Sequence, residues 1–366
     1  MGFAYASNRI AVCVQIRACG DDYSTGMNTG LLKERDGWLY YGGALFYVVA
    51  GYAVGLAGLF DSSWLVNMAA TLLLAHAMVI AAYLIHECAH NLIFVRSHNN
   101  ARLGEVMTWF CGAAYGTYED IRYKHFRHHV DNDDVVWFSY DEWFESHPIL
   151  TRVIRLLEWF YIPAHDLLMH GVMIFTSFII PQRRSQRLRN VLVIALRGGL
   201  FLLACILVPK VAVLYVLAYL IMMHILRFMD SVQHDYPYST TLFETSRAPH
   251  KGDKAWEQEH TFSNTLSLRF PKLNWLTLNF GYHNAHHANM NLPFYRLPSL
   301  HAELTGNDPQ SVIPLSAQLR LYHNNRVARI YNPQPANYPQ GIDYLRTAQS
   351  GSGPIGGNAA SFLTSF

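Results

Sequence analysis

Two clusters of three histidines in this sequence share the spacing H-x-x-H-H. One lies in YKHFRHHVDND and the other in GYHNAHHANMN, about 150 residues later. On a helix, residues three and four apart share a face, so each cluster directs three imidazoles to one side. Imidazole is a ligand for iron, copper, zinc and nickel, and the clusters therefore predict metal binding. The residues are His125, His128 and His129 in the first cluster and His283, His286 and His287 in the second.

A third histidine group lies in LIHECAHN, where His86 and His90 are four residues apart. The chain holds 19 histidines, which fall in spaced groups rather than in one run. The eight histidines of the three groups exceed what one ion can use, so two metals are expected. Hydrolytic two-metal sites usually carry bridging carboxylates. A nearly all-histidine pair beside apolar segments indicates redox iron instead.

The elements that position these histidines are apolar. Hydrophobic residues make up 51% of the chain and charged residues 15%, whereas globular domains average about 25% charged. A predominantly apolar run needs about 20 residues to cross a bilayer as a helix. Four runs approach or exceed this length and predict two transmembrane hairpins with short turns. They are residues 38–60, 64–85, 191–208 (interrupted by Arg197) and 211–228.

The basic residues predict the orientation of these hairpins. The two outer turns contain only Lys210, whereas residues 86–190 contain eleven Lys and Arg. Because basic residues concentrate on the inner side, this loop and both termini are expected in the cytoplasm. All three histidine groups then lie on one side of the membrane. The expected fold is an all-α integral membrane protein with a cytoplasmic helical cap that carries a dimetal site.

The same pattern divides the chain into three parts. Residues 1–37 are expected to form a cytoplasmic N-terminal segment, residues 38–300 the membrane domain and residues 301–366 a cytoplasmic C-terminal segment. Two shorter apolar segments, 103–118 and 157–180, predict interfacial or re-entrant helices. The net charge of +2 excludes nucleic acid as a partner, and five scattered cysteines without C-x-x-C exclude a disulfide framework.

The boxes H-E-C-A-H, H-F-R-H-H and H-N-A-H-H, in this order, resemble those of the membrane fatty acid desaturase superfamily. That superfamily includes acyl desaturases, alkane hydroxylases, carotenoid ketolases and decarboxylases that form terminal alkenes. The resemblance covers roughly residues 38–300 and implies two non-haem irons, with O2 as co-substrate. It implies a fatty acid or acyl lipid as substrate. Acyl desaturation is the favoured reaction, with decarboxylation and hydroxylation as alternatives.

The second and third boxes are followed by residues that are unusual for an acyl-lipid desaturase. The second box continues with VDND and the third with ANMN, where such enzymes more often have Thr-Asn and a proline-containing stretch. These departures keep the decarboxylase and the hydroxylase open.

The resemblance also implies a ninth ligand at the cytoplasmic end of the fourth membrane helix. In RFMDSVQHDYPYS this position falls on His234, and His260 in WEQEHTFSNT is its competitor. Asp230 lies one helical turn before His234, where some relatives carry a polar residue near the metal, and is a further candidate to bind metal or to support a ligand. Asp131 and Asp134 follow the second box and are candidates to bind metal or to accept hydrogen bonds from ligand histidines.

Electrons are expected from an external donor. The sequence has no His-Pro-Gly-Gly segment of a fused cytochrome and no C-x-x-C of a rubredoxin. A ferredoxin, rubredoxin or cytochrome with its reductase is therefore the expected partner. Arg122, Lys124 and Arg127 near the second box would suit an acidic carrier, although positive-inside topology is the better explanation for them.

Two other classes of function compete with this interpretation. HECAH also matches the zinc protease motif H-E-x-x-H, with Glu87 as general base. That hypothesis leaves the six histidines of the H-x-x-H-H clusters without a role. A histidine-lined metal transporter would need polar residues at the middle of the bilayer. The predicted spans offer only His76, Arg197 and His224.

Overall fold

Helices account for nearly all of the regular structure. The computed structural model describes residues 30–136, 140–236, 239–241, 248–330 and 338–355. Strands β1 (Asp134–Val136) and β2 (Ser239–Thr241) pair in parallel, with Asp134 opposite Ser239. The helices are α1 (Gly37–Gly58), α2 (Trp64–Ala89), α3 (Ser97–Cys111), α4 (Tyr118–Asp131), α5 (Tyr140–Ser146), α6 (Pro148–Trp159), α7 (Ala164–Ile179), α8 (Pro181–Leu207), α9 (Pro209–Asp230), α10 (Lys254–Glu259), α11 (His283–Ala288), α12 (Leu297–Thr305), α13 (Leu315–Asn324) and α14 (Gly341–Gln349).

Among the residues that the structure describes, four helices, α1, α2, α8 and α9, are long and apolar enough to cross a membrane. They form two consecutive hairpins, which confirms the predicted helical membrane fold. Two boundaries differ from the sequence prediction. Helix α2 continues past Ile85 to Ala89, which carries His86 within the helix. Helix α8 begins at Pro181, before the predicted start at residue 191. The prediction missed its first turns because arginines lower the hydropathy there without breaking the helix.

Glycines on α1 bring the first hairpin together. Gly51, Gly55 and Gly58 lie on the face of α1 that meets α2. A Cβ atom on Gly58 would be 2.6 Å from the Cβ of Ala70, and one on Gly55 would be 2.9 Å from the Cβ of Leu74. Small residues at such spacing allow helix backbones to approach closely in a membrane. The packing fixes α2, and with it the first histidine group.

Each of the two segments predicted as an interfacial or re-entrant helix is divided by a turn in the structure. Helix α3 ends at Cys111, and Gly112 follows in the left-handed conformation with φ of +83°. A Cβ atom on Gly112 would be 2.5 Å from the ring of Tyr219, so this turn requires glycine. The segment 157–180 is split between α6 and α7, with Pro163 immediately before α7.

A buried ion cluster connects α9 to the hairpin of α6 and α7. Arg227 on α9 pairs with Glu158 on α6 at 2.7 Å and with Asp166 on α7 at 3.1 Å. Glu158 also accepts a hydrogen bond from the backbone N–H of His165 at 3.0 Å. The guanidinium therefore has two carboxylate partners, which offsets the cost of removing it from water.

The C-terminal helices pack beside the end of α9. Tyr344 and Ala348 of α14 join Val232, Phe262 and Leu321 in one buried apolar cluster. The helices α13 and α14 thus belong to the same cap of helices that surrounds the histidine clusters.

Candidate metal centre

The three histidine boxes lie at the C-terminal ends of α2 and α4 and in the short helix α11. These elements meet beside the C-terminus of α9. Helix α2 contains His86, and His90 is its C-terminal cap. Thr117 caps the N-terminus of α4: its hydroxyl accepts a hydrogen bond from the N–H of Asp120 at 3.2 Å. The spacing on α4 and α11 places each H-x-x-H-H cluster on one helical face, as the sequence predicted.

Five histidines form the first group of potential ligands, called the five-histidine group below. One ring nitrogen from each of His86, His90, His125, His129 and His286 lies within 4.8 Å of the others. The Nε2 atoms of His90 and His125 are 2.7 Å apart, and those of His125 and His129 are 3.1 Å apart. His286 Nε2 lies 3.2 Å from His129 Nε2. All five side chains are buried.

Four histidines, His128, His234, His283 and His287, form the second group, called the four-histidine group. The Nε2 atom of His234 lies 3.1 Å from that of His128 and 2.8 Å from that of His283. The two groups are neighbours, because the ring centroids of His129 and His287 are only 4.3 Å apart. The nine histidines that the sequence proposed as ligands are the nine that these groups contain.

Burial favours the neutral, metal-binding form of several of these imidazoles. It lowers the pKa of His128 to about 4 and holds the pKa of His90 and His283 well below the usual range. A neutral imidazole has a lone pair on one ring nitrogen, which a metal ion can take. At neutral pH these three rings therefore present nitrogen lone pairs rather than positive charges.

The spacing of the nitrogens fits two metal ions. Neighbouring ligands around an ion with bonds of about 2.1 Å lie roughly 3 Å apart, which matches the 2.7–3.2 Å between Nε2 atoms. The Nε2 atom of His287 is buried without a hydrogen-bond partner among the described residues. A buried nitrogen of this kind normally has a partner, and a cation between the rings would supply it.

Glu257 of α10 contacts one histidine from each group. Its Oε1 atom accepts a hydrogen bond from Nδ1 of His287 at 2.8 Å and lies 4.0 Å from Nδ1 of His129. The carboxylate is fully buried and pairs with Lys254 at 2.5 Å. A carboxylate on Nδ1 fixes the tautomer and directs Nε2 to the metal position. The sequence gives no sign of this role for Glu257, because nothing in WEQEH shows that its side chain meets residues 129 and 287.

Other groups orient the remaining rings in the same way. The Nδ1 atom of His128 donates to the backbone carbonyl of Asp133 at 3.1 Å. The Nδ1 atom of His234 lies 3.3 Å from the hydroxyl of Thr261. In both rings Nδ1 is occupied, so Nε2 is the atom that faces the four-histidine group.

Glu87 of the first box supports the site from outside. Its Oε2 atom accepts hydrogen bonds from the hydroxyl of Tyr41 at 2.7 Å and from the backbone N–H of Phe294 at 3.2 Å. Its Oε1 atom lies 3.7 Å from Nδ1 of His86. Glu87 thus links α1, the segment after α11 and a ring of the five-histidine group.

His260, the competitor for the ninth position, lies outside both groups. Its Nδ1 atom donates to Asp235 at 2.8 Å, and its ring stacks on Trp256. The other oxygen of Asp235 accepts a hydrogen bond from the backbone N–H of Gly341 at 2.6 Å, at the start of α14. His260 therefore helps to hold Asp235, the residue that follows His234.

The three aspartates considered as ligands also lie outside both groups. Asp131 pairs with Arg127 and Lys251. Asp134 opens β1 and is buried, and burial raises its pKa well above the usual range. Asp230 is the last residue of α9.

The comparison with known families addresses the same region. A family model described as fatty acid desaturase matches residues 62–318, which include every histidine of both groups. The chain belongs to the fatty acid desaturase family. A search of curated proteins finds no match. Membership makes the chain an oxidoreductase with a lipid substrate, and its four apolar helices agree with the membrane location of such a fatty acid desaturase.

Proposed function

We propose that this chain introduces a double bond into a fatty acyl chain at a centre of two irons held by the nine histidines. The observation that carries the proposal is the pair of adjacent buried histidine groups beside two apolar helices. The overall reaction consumes one O2, two electrons and two protons, and it yields the alkene and two waters. When bound, the irons would supply the oxidising power that breaks an unactivated C–H bond.

The donor set favours iron over zinc. The five-histidine group exceeds the four ligands of a structural zinc, and both groups exceed the three protein ligands of a catalytic one. Glu87, the general base that a zinc protease would need, is occupied by Tyr41 and the backbone of Phe294. The geometry therefore favours the oxidative function over proteolysis.

The protein's own residues would prepare the site in two ways. Glu257, Asp133 and Thr261 occupy Nδ1 atoms and so direct Nε2 atoms inward. Phe280 lies edge-on to His86, with ring centroids 5.3 Å apart, and packs against Tyr83. Such an apolar wall beside the rings suits a hydrocarbon chain and excludes water.

The orientation and the electron source belong to the same proposal. We expect the histidine groups and both termini in the cytoplasm, as the positive-inside pattern indicates. A separate ferredoxin, rubredoxin or cytochrome with its reductase would deliver the two electrons. The acyl substrate would enter from the bilayer.

The experiment that tests this function uses purified, iron-loaded protein in detergent with O2, a reductase and a ferredoxin. Free fatty acids and acyl thioesters are supplied, and the products are identified by mass spectrometry. An unsaturated product of unchanged chain length supports desaturation. A terminal alkene one carbon shorter, together with carbon dioxide, would show that the reaction is decarboxylation instead. A product with an added oxygen would show that it is hydroxylation. No oxygen consumption with any substrate would contradict the oxidative function.

A further inference from the structure

A row of stacked rings leads from His234 towards the protein surface. The ring centroid of Tyr236 lies 4.3 Å from that of His234. Trp256 stacks on Tyr236 with centroids 5.3 Å apart and an angle of 27° between the planes. His250 stacks on Trp256 at 4.1 Å with an angle of 2°. Each ring thus contacts the next, from a member of the four-histidine group outward.

The two ends of this row differ in exposure. Tyr236, next to His234, is 0% exposed, whereas Trp256 and His250 are partly exposed. The row therefore begins at the candidate metal centre and ends where another protein can touch it. Its inner part is sealed from water.

The outer end of the row of rings is held by hydrogen bonds to the C-terminal end of α4, the helix that carries the second histidine box. The side-chain amide of Asn132, just after α4, donates to the backbone carbonyls of His250 and Asp253 at 2.8 and 2.9 Å. The N–H of Gly252 donates to the carbonyl of Val130 at 3.0 Å. The turn that carries His250 is thus fixed to the helix that carries His128.

We propose that Trp256 and Tyr236 form the route by which electrons reach the four-histidine group from a one-electron carrier protein docked over Trp256 and His250. The inference rests on the proposed function, which requires two electrons from outside for each double bond formed. Each carrier would lose one electron per encounter, so two reduced carriers are oxidised in each turnover. The contacts between successive rings would give the electron a short path from the partly exposed Trp256 to His234.

Charge at the outer end favours a carrier with an acidic face. Lys251 and Lys254 are exposed at their side chains, whereas the carboxylates that pair with them, Asp131 and Glu257, are buried. Asp253 is exposed between the two lysines. The exposed ammonium groups of Lys251 and Lys254, which stand beside the exposed carboxylates of Asp253 and Glu259, would attract the acidic face of a partner, and this attraction weakens with added salt.

The test measures electron transfer without substrate. Oxidised, iron-loaded protein is mixed anaerobically with reduced ferredoxin, rubredoxin or cytochrome b5, and oxidation of the carrier is followed by its absorbance. The limiting rate at saturating carrier is expected to fall about tenfold in Trp256→Leu and less in Trp256→Phe, which keeps a ring. The matched control is Trp143→Leu, because Trp143 is also partly exposed and stacks on a histidine, His147, at 4.5 Å. Its rate should match that of the wild type.

Two further readouts separate this proposal from its alternatives. The iron content of each variant shows whether Trp256→Leu damaged the centre itself. Calorimetry with metal-free protein gives the affinity for the carrier, so weaker docking is distinguished from a broken route. The proposal would be overturned if Trp256→Leu, with its full iron content, kept the limiting rate of the wild type. It would also be overturned if none of the three carriers transferred electrons to the wild-type protein. Because no substrate is present, these results do not depend on which product the enzyme forms.

Discussion

Glu257 accepts a hydrogen bond from Nδ1 of His287 at 2.8 Å, inside a fully buried contact between α10 and the third histidine box. The same oxygen lies 4.0 Å from His129 of the other group. One carboxylate thus supports both halves of the candidate centre. The carboxylate comes from α10, a helix of six residues that lies between the second and third boxes in the sequence.

Replacing Glu257 by alanine is expected to weaken metal binding about 10- to 100-fold, the usual loss when a carboxylate behind a ligand histidine is removed. Glu257→Gln should lose less, because its carbonyl oxygen can still accept the hydrogen bond. Iron retained after dialysis against graded chelator measures the effect. Glu259→Ala, on the same helix but exposed, is the control. Equal retention by the two alanine variants would contradict the role of Glu257.

The assignment of the ninth ligand predicts different iron contents for two variants. His234→Ala removes a member of the four-histidine group and should leave about one iron per chain. His260→Ala should keep both irons, since its ring bonds Asp235 instead. Iron per chain, measured by elemental mass spectrometry, decides between them. Loss of iron in His260→Ala with retention in His234→Ala would reverse the assignment.

The buried ion cluster on α9 predicts a large loss of stability. Glu158→Ala leaves Arg227 with Asp166 alone, and breaking a buried pair costs about 3–5 kcal/mol. The midpoint of thermal unfolding in detergent should fall clearly. Asp343→Ala, which removes the exposed partner of Arg346, should leave the midpoint unchanged. A Glu158→Ala midpoint as high as that of Asp343→Ala would show that the cluster contributes nothing.

The first hairpin predicts opposite effects for two glycines of α1. In Gly58→Ala the new methyl would meet Ala70 at 2.6 Å, and such overpacking costs about 1–3 kcal/mol. In Gly43→Ala the methyl meets nothing within 4 Å, and the higher helix propensity of alanine should preserve or raise stability by up to about 1 kcal/mol. Thermal unfolding of the two variants tests the close approach of α1 and α2, and equal midpoints would argue against it.

Periodicity and hydropathy predicted the parts of the fold that depend on local sequence. The four apolar helices follow from the length of the apolar runs, and the shared helical face of His125, His128 and His129 follows from their spacing. The start of α8 at Pro181 could not be predicted, because hydropathy falls at the arginines while the helix continues. The end of α3 at Gly112 depends on the ring of Tyr219, more than 100 residues later.

The supporting contacts of the site were less predictable. Glu257 meets His287, and Asp235 meets the N–H of Gly341, only because the chain folds back on itself. Neither pair has a sequence spacing that would indicate contact. The histidine His260 matched a ligand in residue type and neighbourhood, but its ring turns towards Asp235 and Trp256. The residue type alone could not show whether the ring of His260 faces the metal position or Asp235.

The metal content of the purified wild-type chain tests the central claim most directly. Protein produced with iron and zinc both available, then freed of loosely bound ions, is analysed by elemental mass spectrometry. The two histidine groups predict two irons per chain and no stoichiometric zinc. One zinc per chain, or a single metal of any kind, would contradict the two-iron centre on which the proposed desaturation depends.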